Sequence, residues 1–259
     1  MVRREKANYT IQSVSHALDV LEQFVGEADE LGVTELSKRL KLHKNNVFRL
    51  LATLEARGYI EQNRLTENYR LGIRCLRLGQ RFIEQMGLLR QARPVMMDVS
   101  KAARETSFIA VMQNGGIVPL DAVEAEQPVR LVSRIGDILP LHCTAAGKTH
   151  LAFADDEARG ALPDALPRFT DRTVVDGQVL NQQLKKIAEN GYAIDLGEYI
   201  EDVRSVAVPV RDYTRAVVGA LAISGPAYRL TQERLEKEIV PLMVRAGSEL
   251  SGRLGFEQA

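Results

Sequence analysis

Apolar residues recur at helical spacing through the first third of the chain. Between Ser13 and Gly26, the residues Val14, Ala17, Leu18, Leu21, Phe24 and Val25 mark one helical face, with Ser13 placed to cap it. The polar break Glu27-Ala28-Asp29-Glu30 ends this helix. A short second helix is predicted from Thr34 to Leu40, with Thr34 as N-cap and Leu36 and Leu40 on one side. After the tight connection Lys41-Leu42-His43, a third helix is predicted over Lys44 to Arg57. Its Val47, Leu50, Leu51 and Leu54 face inward, and Gly58 is the residue type that follows a helix C-terminus. The period then switches. Tyr59-Ile60-Glu61 and Tyr69-Arg70-Leu71 read as two short strands around a polar tip at 63–68.

Three helices and a hairpin in this order predict a winged helix-turn-helix. The arrangement carries the N-terminal residues of the third helix toward a DNA major groove and lays the hairpin along the backbone. A three-helix interaction module would show the same order.

Beyond Gly72, Ile73, Leu76, Leu78, Phe82, Ile83, Met86 and Leu89 give a helical period up to about Ala92, read as a linker helix whose apolar face suits dimer contacts. A helix from Pro94 to about Thr106 opens the second domain. Strands follow at Phe108–Met112, at Ile117–Leu120 after a Gly115-Gly116 turn, and at Val129–Val132. Helical patterns cover Thr144–Ala154 and Gln178–Asn190, the latter closed by Gly191. Val203–Val210 and Ala216–Ser224 alternate as strands, and an amphipathic helix from about Thr231 to Arg253 closes the chain. The predicted class is α+β, with an antiparallel sheet in the second domain. The expected domains are 8–72, a linker helix over 73–92, and 93–256.

Composition sharpens this picture in two places. The 259 residues carry 34 basic and 34 acidic side chains, so net charge is zero. A neutral chain argues against a nucleic-acid partner until the distribution is examined. From Leu36 to Leu54, Lys38, Arg39, Lys41, Lys44 and Arg49 occur with no acid among them, a confined basic surface. No stretch approaches the roughly 20 apolar residues of a membrane span, and Ala7-Asn8-Tyr9-Thr10 is no signal-peptide core. With Cys75 and Cys143 isolated, a reducing cytoplasmic location is expected.

The residues then resemble a known family along essentially the whole chain. The N-terminal match runs through Thr34–Leu40, Arg49–Glu55, Gly58-Tyr59-Ile60 and Tyr69–Gly72. The C-terminal match includes Leu139–Lys148 and the spaced set Gly191, Asp195, Glu198, Ser205, Val206, Ala207, Val210 and Asp212. The chain resembles the IclR family of bacterial transcription regulators. It departs from the family pattern at Arg211, usually aromatic or His, and at Ser205, usually Cys. The resemblance implies a winged helix, a linker helix and a GAF-like effector domain. It also implies dimers that pair into tetramers on operator DNA, and control by small organic acids.

For DNA, the candidates are Lys44, Asn45, Asn46 and Arg49 on the third helix and Arg64 in the wing. Asn can pair with adenine and Arg with guanine, while Lys suits phosphate. The two Asn could instead cap the helix. For the effector, Thr144 can cap a helix whose first free amides belong to Ala145, Ala146 and Gly147, and small side chains leave such amides open to an anion. The same small residues would also permit close helix–sheet packing. The resemblance adds Asp195 and Ser205 across the pocket and Leu131 among its apolar walls. Asp195 would accept from a ligand hydroxyl or from Ser205, or be partly protonated.

No catalytic, cofactor or metal site is expected. Gly147-Lys148-Thr149 lacks the first glycine of a P-loop, since His142 stands there. His142 and Cys143 are neighbours in an extended segment and point apart. His142, Cys143 and His150 have no zinc spacing. The alternative reading is a small-molecule-processing enzyme whose first domain serves oligomerisation.

Overall fold

The computed structural model describes residues 10–25, 29–85, 87–113, 115–154, 162 and 165–257, the side chains of 80 and 82–85 excepted. The chain divides into two compact units, 1–85 and 86–259.

In the first unit, α1 (Gln12–Glu22) runs into a 3-10 turn, Gln23–Val25, and is followed by α2 (Val33–Leu40) and α3 (Lys44–Ala56). Strands β1 (Ile60–Gln62) and β2 (Tyr69–Leu71) form the antiparallel wing, with Ile60 opposite Leu71. A further helix, α4, spans Ile73–Gln85. The inward residues Val20, Phe24, Leu36, Val47, Leu51, Leu54, Ile60 and Tyr69 form one buried cluster. Two caps differ from expectation. The helices begin after Ile11 and Gly32, neither of which caps through a side chain, so Ser13 and Thr34 lie inside the first turns. Gly26, Glu27 and Ala28 lie outside the described residues, as do Asn8, Met86 and the side chains of Phe82 and Ile83.

The second unit opens with α5 (Gly87–Ala103), which runs through Pro94 instead of starting there. Pro94 and Arg90 are both exposed, so water can serve the Arg90 carbonyl that loses its intrahelical donor. Next come β3 (Thr106–Gln113), β4 (Gly116–Val123), α6 (Ala145–Phe153), α7 (Gly177–Asn190), β5 (Ala193–Asp195), β6 (Val203–Arg211) and β7 (Val217–Pro226). The chain closes with α8 (Gln232–Arg234) and α9 (Val240–Arg253), joined by a π-helical turn, Leu235–Ile239. The five strands are all antiparallel, in the order β4-β3-β7-β6-β5. The expected strand at Val129–Val132 is absent. Residues 124–138 carry no strand, Pro128 has no N–H to donate, and Val129 and Val132 are exposed.

The strands alternate with period two, and the two faces differ in bulk. Ile109, Val206, Val208, Leu221 and Ile223 pack beneath α5 and α9. On the other face stand Ala110, Ala207, Ala220 and Ala222, under α6 and α7. Alanines let α6 approach closely but do not fill the space beyond its N-terminus. That space is the hollow described next.

Candidate functional site

The turn between α2 and α3 is built locally. Lys41 takes a left-handed conformation at φ 54°, the Leu42 amide donates to the Ser37 carbonyl, and the Ser37 hydroxyl donates to the Leu42 carbonyl at 2.6 Å. This fixes how α3 leaves the turn. Val47, Leu51 and Leu54 bury its inner side, and Lys44, Asn45, Asn46 and Arg49 are all exposed. The N-cap is His43, without a side-chain bond, and no hydrogen bond engages the Asn45 or Asn46 side chain among the described residues. Their amides therefore do not serve as caps. Phe48, 56% exposed on the same helix, was not singled out by the sequence reading. An exposed aromatic ring there can contact a thymine methyl.

The wing tip is tied down. Asn63 and Thr66 both donate to the Glu30 carboxylate at 2.7 Å, and the Asn63 bond leads in lowering its pKa. Arg64 sits exposed between the two tethers.

In the second unit, the small-residue face leaves a hollow of about 360 Å³. Ala145, Ala146, Leu131, Asp195 and Ser205 all line it, so five of the six expected effector residues are brought together. Gly147 is not among them. The Thr144 hydroxyl accepts its amide at 3.1 Å and donates to the Pro140 carbonyl at 2.8 Å. A Cβ on Gly147 would stand 2.4 Å from the Leu141 carbonyl oxygen. Gly147 is thus a packing residue, and its amide is already used. The expected three-amide seat reduces to two. The amides of Ala145 and Ala146 have no acceptor among the described residues.

Opposite them a polar row crosses the sheet. Asp195 pairs in register with Ser205, and Ser205 with Ser224. The two serine hydroxyls share a hydrogen bond of 2.6 Å, so Ser205 is engaged by Ser224, which the sequence reading did not single out. One Asp195 oxygen accepts from the amides of Gly197 and Glu198, at 3.0 and 2.7 Å. Burial pushes its pKa up to about 6, against those amides and Lys148. Partial protonation near neutrality follows.

Behind this wall, Lys148 is 2% exposed and bonds Glu198 at 2.5 Å and Gln183 at 3.2 Å. The pair ties α6, which bears Ala145 and Ala146, to the turn that follows Asp195 and bears Glu198. His142 Nε2 meets the Pro167 carbonyl, His150 Nε2 meets the Ala110 carbonyl, and burial pushes the Cys143 thiol up to about 12. A thiol held protonated in this way is a poor nucleophile. Among the described residues no group of three or more His, Cys, Asp or Glu could hold a metal ion, and no helix is long and apolar enough to cross a membrane.

Comparison with known proteins settles the kinship. Residues 80–252 match the model of the bacterial transcriptional regulator IclR C-terminal domain, and residues 13–64 match the IclR helix-turn-helix domain. The chain belongs to the IclR family. Among its IclR relatives is the HTH-type transcriptional regulator KdgR of Escherichia coli, 34% identical over 97% of this chain and 96% of that protein. The regulator XynR of the same organism is 32% identical, over 95% and 98% of the two chains. An IclR homologue from Microbacterium hydrocarbonoxydans, solved in complex with 4-hydroxybenzoate, is 25% identical with a TM-score of 0.84, over 94% and 99% of the chains. The Thermotoga maritima IclR structure is 26% identical with a TM-score of 0.80, over 95% and 100%. This IclR chain is therefore a helix-turn-helix transcription regulator and not an enzyme. Its second unit is the family's α+β, GAF-like domain.

Proposed function

We propose that the protein binds operator DNA through α3 and the wing, and that a small organic acid in the hollow changes that affinity. The observation that carries the reading is the pairing of two free helix-terminal amides with Asp195 and Ser205 in one cavity. Unpaired N–H groups at a helix start favour an anion, while the acid and hydroxyl opposite can read a hydroxyl or oxo group. A hydroxy acid seated in a relative of the same fold supports this class. Lys44, Asn45, Asn46, Arg49 and Arg64 are the proposed DNA contacts. The functional division is 8–72 for DNA, 73–92 for the linker and 93–256 for the effector, acting in the cytoplasm.

Self-association is part of the proposal. Ile11 just before α1, Val14 and Leu18 on it, and Ile73 and Leu76 on α4, are each more than half exposed. Apolar faces of this extent on a DNA-binding unit suit a dimer or tetramer, and a symmetric dimer matches a palindromic operator. The test is retention of specific genomic fragments by the full chain, followed by calorimetry against hydroxy and oxo acids with their amide analogues. Specific retention that one acid alters, without turnover of that acid, is the expected result. Absence of specific retention would overturn the reading.

A further inference from the structure

Residues 132–138 form a flap beside the hollow, held at both ends, and Val132, Ser133, Arg134, Asp137 and Ile138 line the hollow. On one side the Leu131 carbonyl accepts from the buried Thr106 hydroxyl at 2.7 Å. On the other, Leu139 pairs with Ile117 through two bonds of 2.8 and 2.9 Å. Between these anchors one backbone bond, from the Gly136 amide to the Pro119 carbonyl at 2.9 Å, tethers the flap to the sheet. Val132, Ile135 and Ile138 are each more than half exposed, so little apolar contact holds the flap down.

Charge on the walls is lopsided. Asp195 and Asp137 both line the hollow, and Arg134, on the flap, is the sole cation among its described lining residues. Other arginines of this unit are committed elsewhere. Arg93 holds Asp121 at 2.5 Å, Arg130 holds Glu124 at 2.6 Å, and Arg229 grips the buried Glu105 through two bonds. The Arg134 side chain makes no hydrogen bond among the described residues; its carbonyl accepts from the Asp137 amide at 3.3 Å. Its ionic neighbour is Asp137 at 3.9 Å, with the Arg134 side chain 77% exposed. Such a pair is loose and easily exchanged. An entering carboxylate meets Asp137 and Asp195 as well as the two neutral amides, and a cation beside those amides would offset the repulsion from the acids. A guanidinium can, because its planar fork accepts a carboxylate in bidentate fashion.

We propose that Arg134 is the specificity-determining residue of the hollow, turning from Asp137 to take the effector's carboxylate and bringing the flap down over it. The inference rests on the organic-acid reading above and assigns the discrimination between acid and neutral ligand to one side chain. The experiment measures binding to the full-length protein of 4-hydroxybenzoate with 4-hydroxybenzamide, pyruvate with pyruvamide, and gluconate with gluconamide. It compares wild type, Arg134→Gln and Arg134→Lys. Wild type should prefer at least one acid over its amide by about tenfold or more. Arg134→Gln should erase most of that preference while leaving amide affinity within about threefold, and Arg134→Lys should fall between, keeping charge without the fork. An acid preference unchanged in Arg134→Gln overturns the inference and leaves the organic-acid reading standing. Failure of every acid to bind wild type, or amides binding as tightly as acids, overturns that reading and the inference with it.

Discussion

Gly147 and Asp195 show how single residues set the chemistry of the hollow. A methyl group at Gly147 would press on the Leu141 backbone at 2.4 Å and on the Thr144 hydroxyl at 2.6 Å, and backbone cannot swing aside. Gly147→Ala should cost about 1–3 kcal/mol of stability by overpacking, measured by denaturant unfolding. An unchanged midpoint would show that α6 can shift outward. Asp195 makes a different prediction. Its folded pKa of about 6 lies above the ordinary 3.8. The folded state holds that proton more tightly, so the contribution is full below pH 4 and is lost as pH rises through 6. Asparagine keeps the acceptor for the Gly197 and Glu198 amides and cannot ionise. Between pH 4 and 7 the wild type should therefore lose on the order of 3 kcal/mol relative to Asp195→Asn. Parallel stability curves for the two proteins would contradict the raised pKa.

At the scale of elements, α3 was legible because its burial obeys a single period. Val47, Leu51 and Leu54 face in, and the first turns present Lys44, Asn45, Asn46, Phe48 and Arg49 outside. Asn46→Ala and Arg49→Ala should each remove roughly 1–3 kcal/mol of discrimination between operator and random DNA. Lys44→Ala should weaken binding to all sequences and lower the salt slope by about one. Salt-titrated gel shifts showing three variants equal to wild type would sink this assignment.

Elsewhere the pattern misled for physical reasons. Val129–Val132 has the β-branched content of a strand, but it stays irregular and leaves its valines in solvent. Three-residue β5 is too short to show alternation, yet it holds Asp195 in register with Ser205. Thr144 was read correctly as a cap, while Ser13 and Thr34 were not caps, because a capping residue type is common and its geometry is set by the preceding turn. Pairing of Ser205 with Ser224 depends on strand register, which one-dimensional spacing does not contain. Arg134 was invisible for a related reason. An arginine in an irregular segment gains meaning only once the segment is seen to line a cavity.

For the whole molecule, the question is whether effector and DNA chemistry can be separated by one substitution. The DNA-contacting candidates all belong to the unit 1–85, and every residue lining the hollow belongs to the unit 86–259. Each unit has its own buried clusters, so neither fold depends on filling the hollow. Ala146 stands at the start of α6, 3% exposed, with its amide free and its methyl group on the wall. A leucine there would project into the cavity over the two amides instead of into packed protein, so the fold should survive. Ala146→Leu should abolish effector binding in calorimetry and leave operator affinity, measured without effector, within about threefold of wild type. It should also freeze the regulator, because a ligand that cannot bind cannot favour one state over another. Operator binding by Ala146→Leu that still responds to the effector would place the anion site elsewhere. Loss of operator binding in the absence of effector would show that the hollow and the reading head are not separable chemistries.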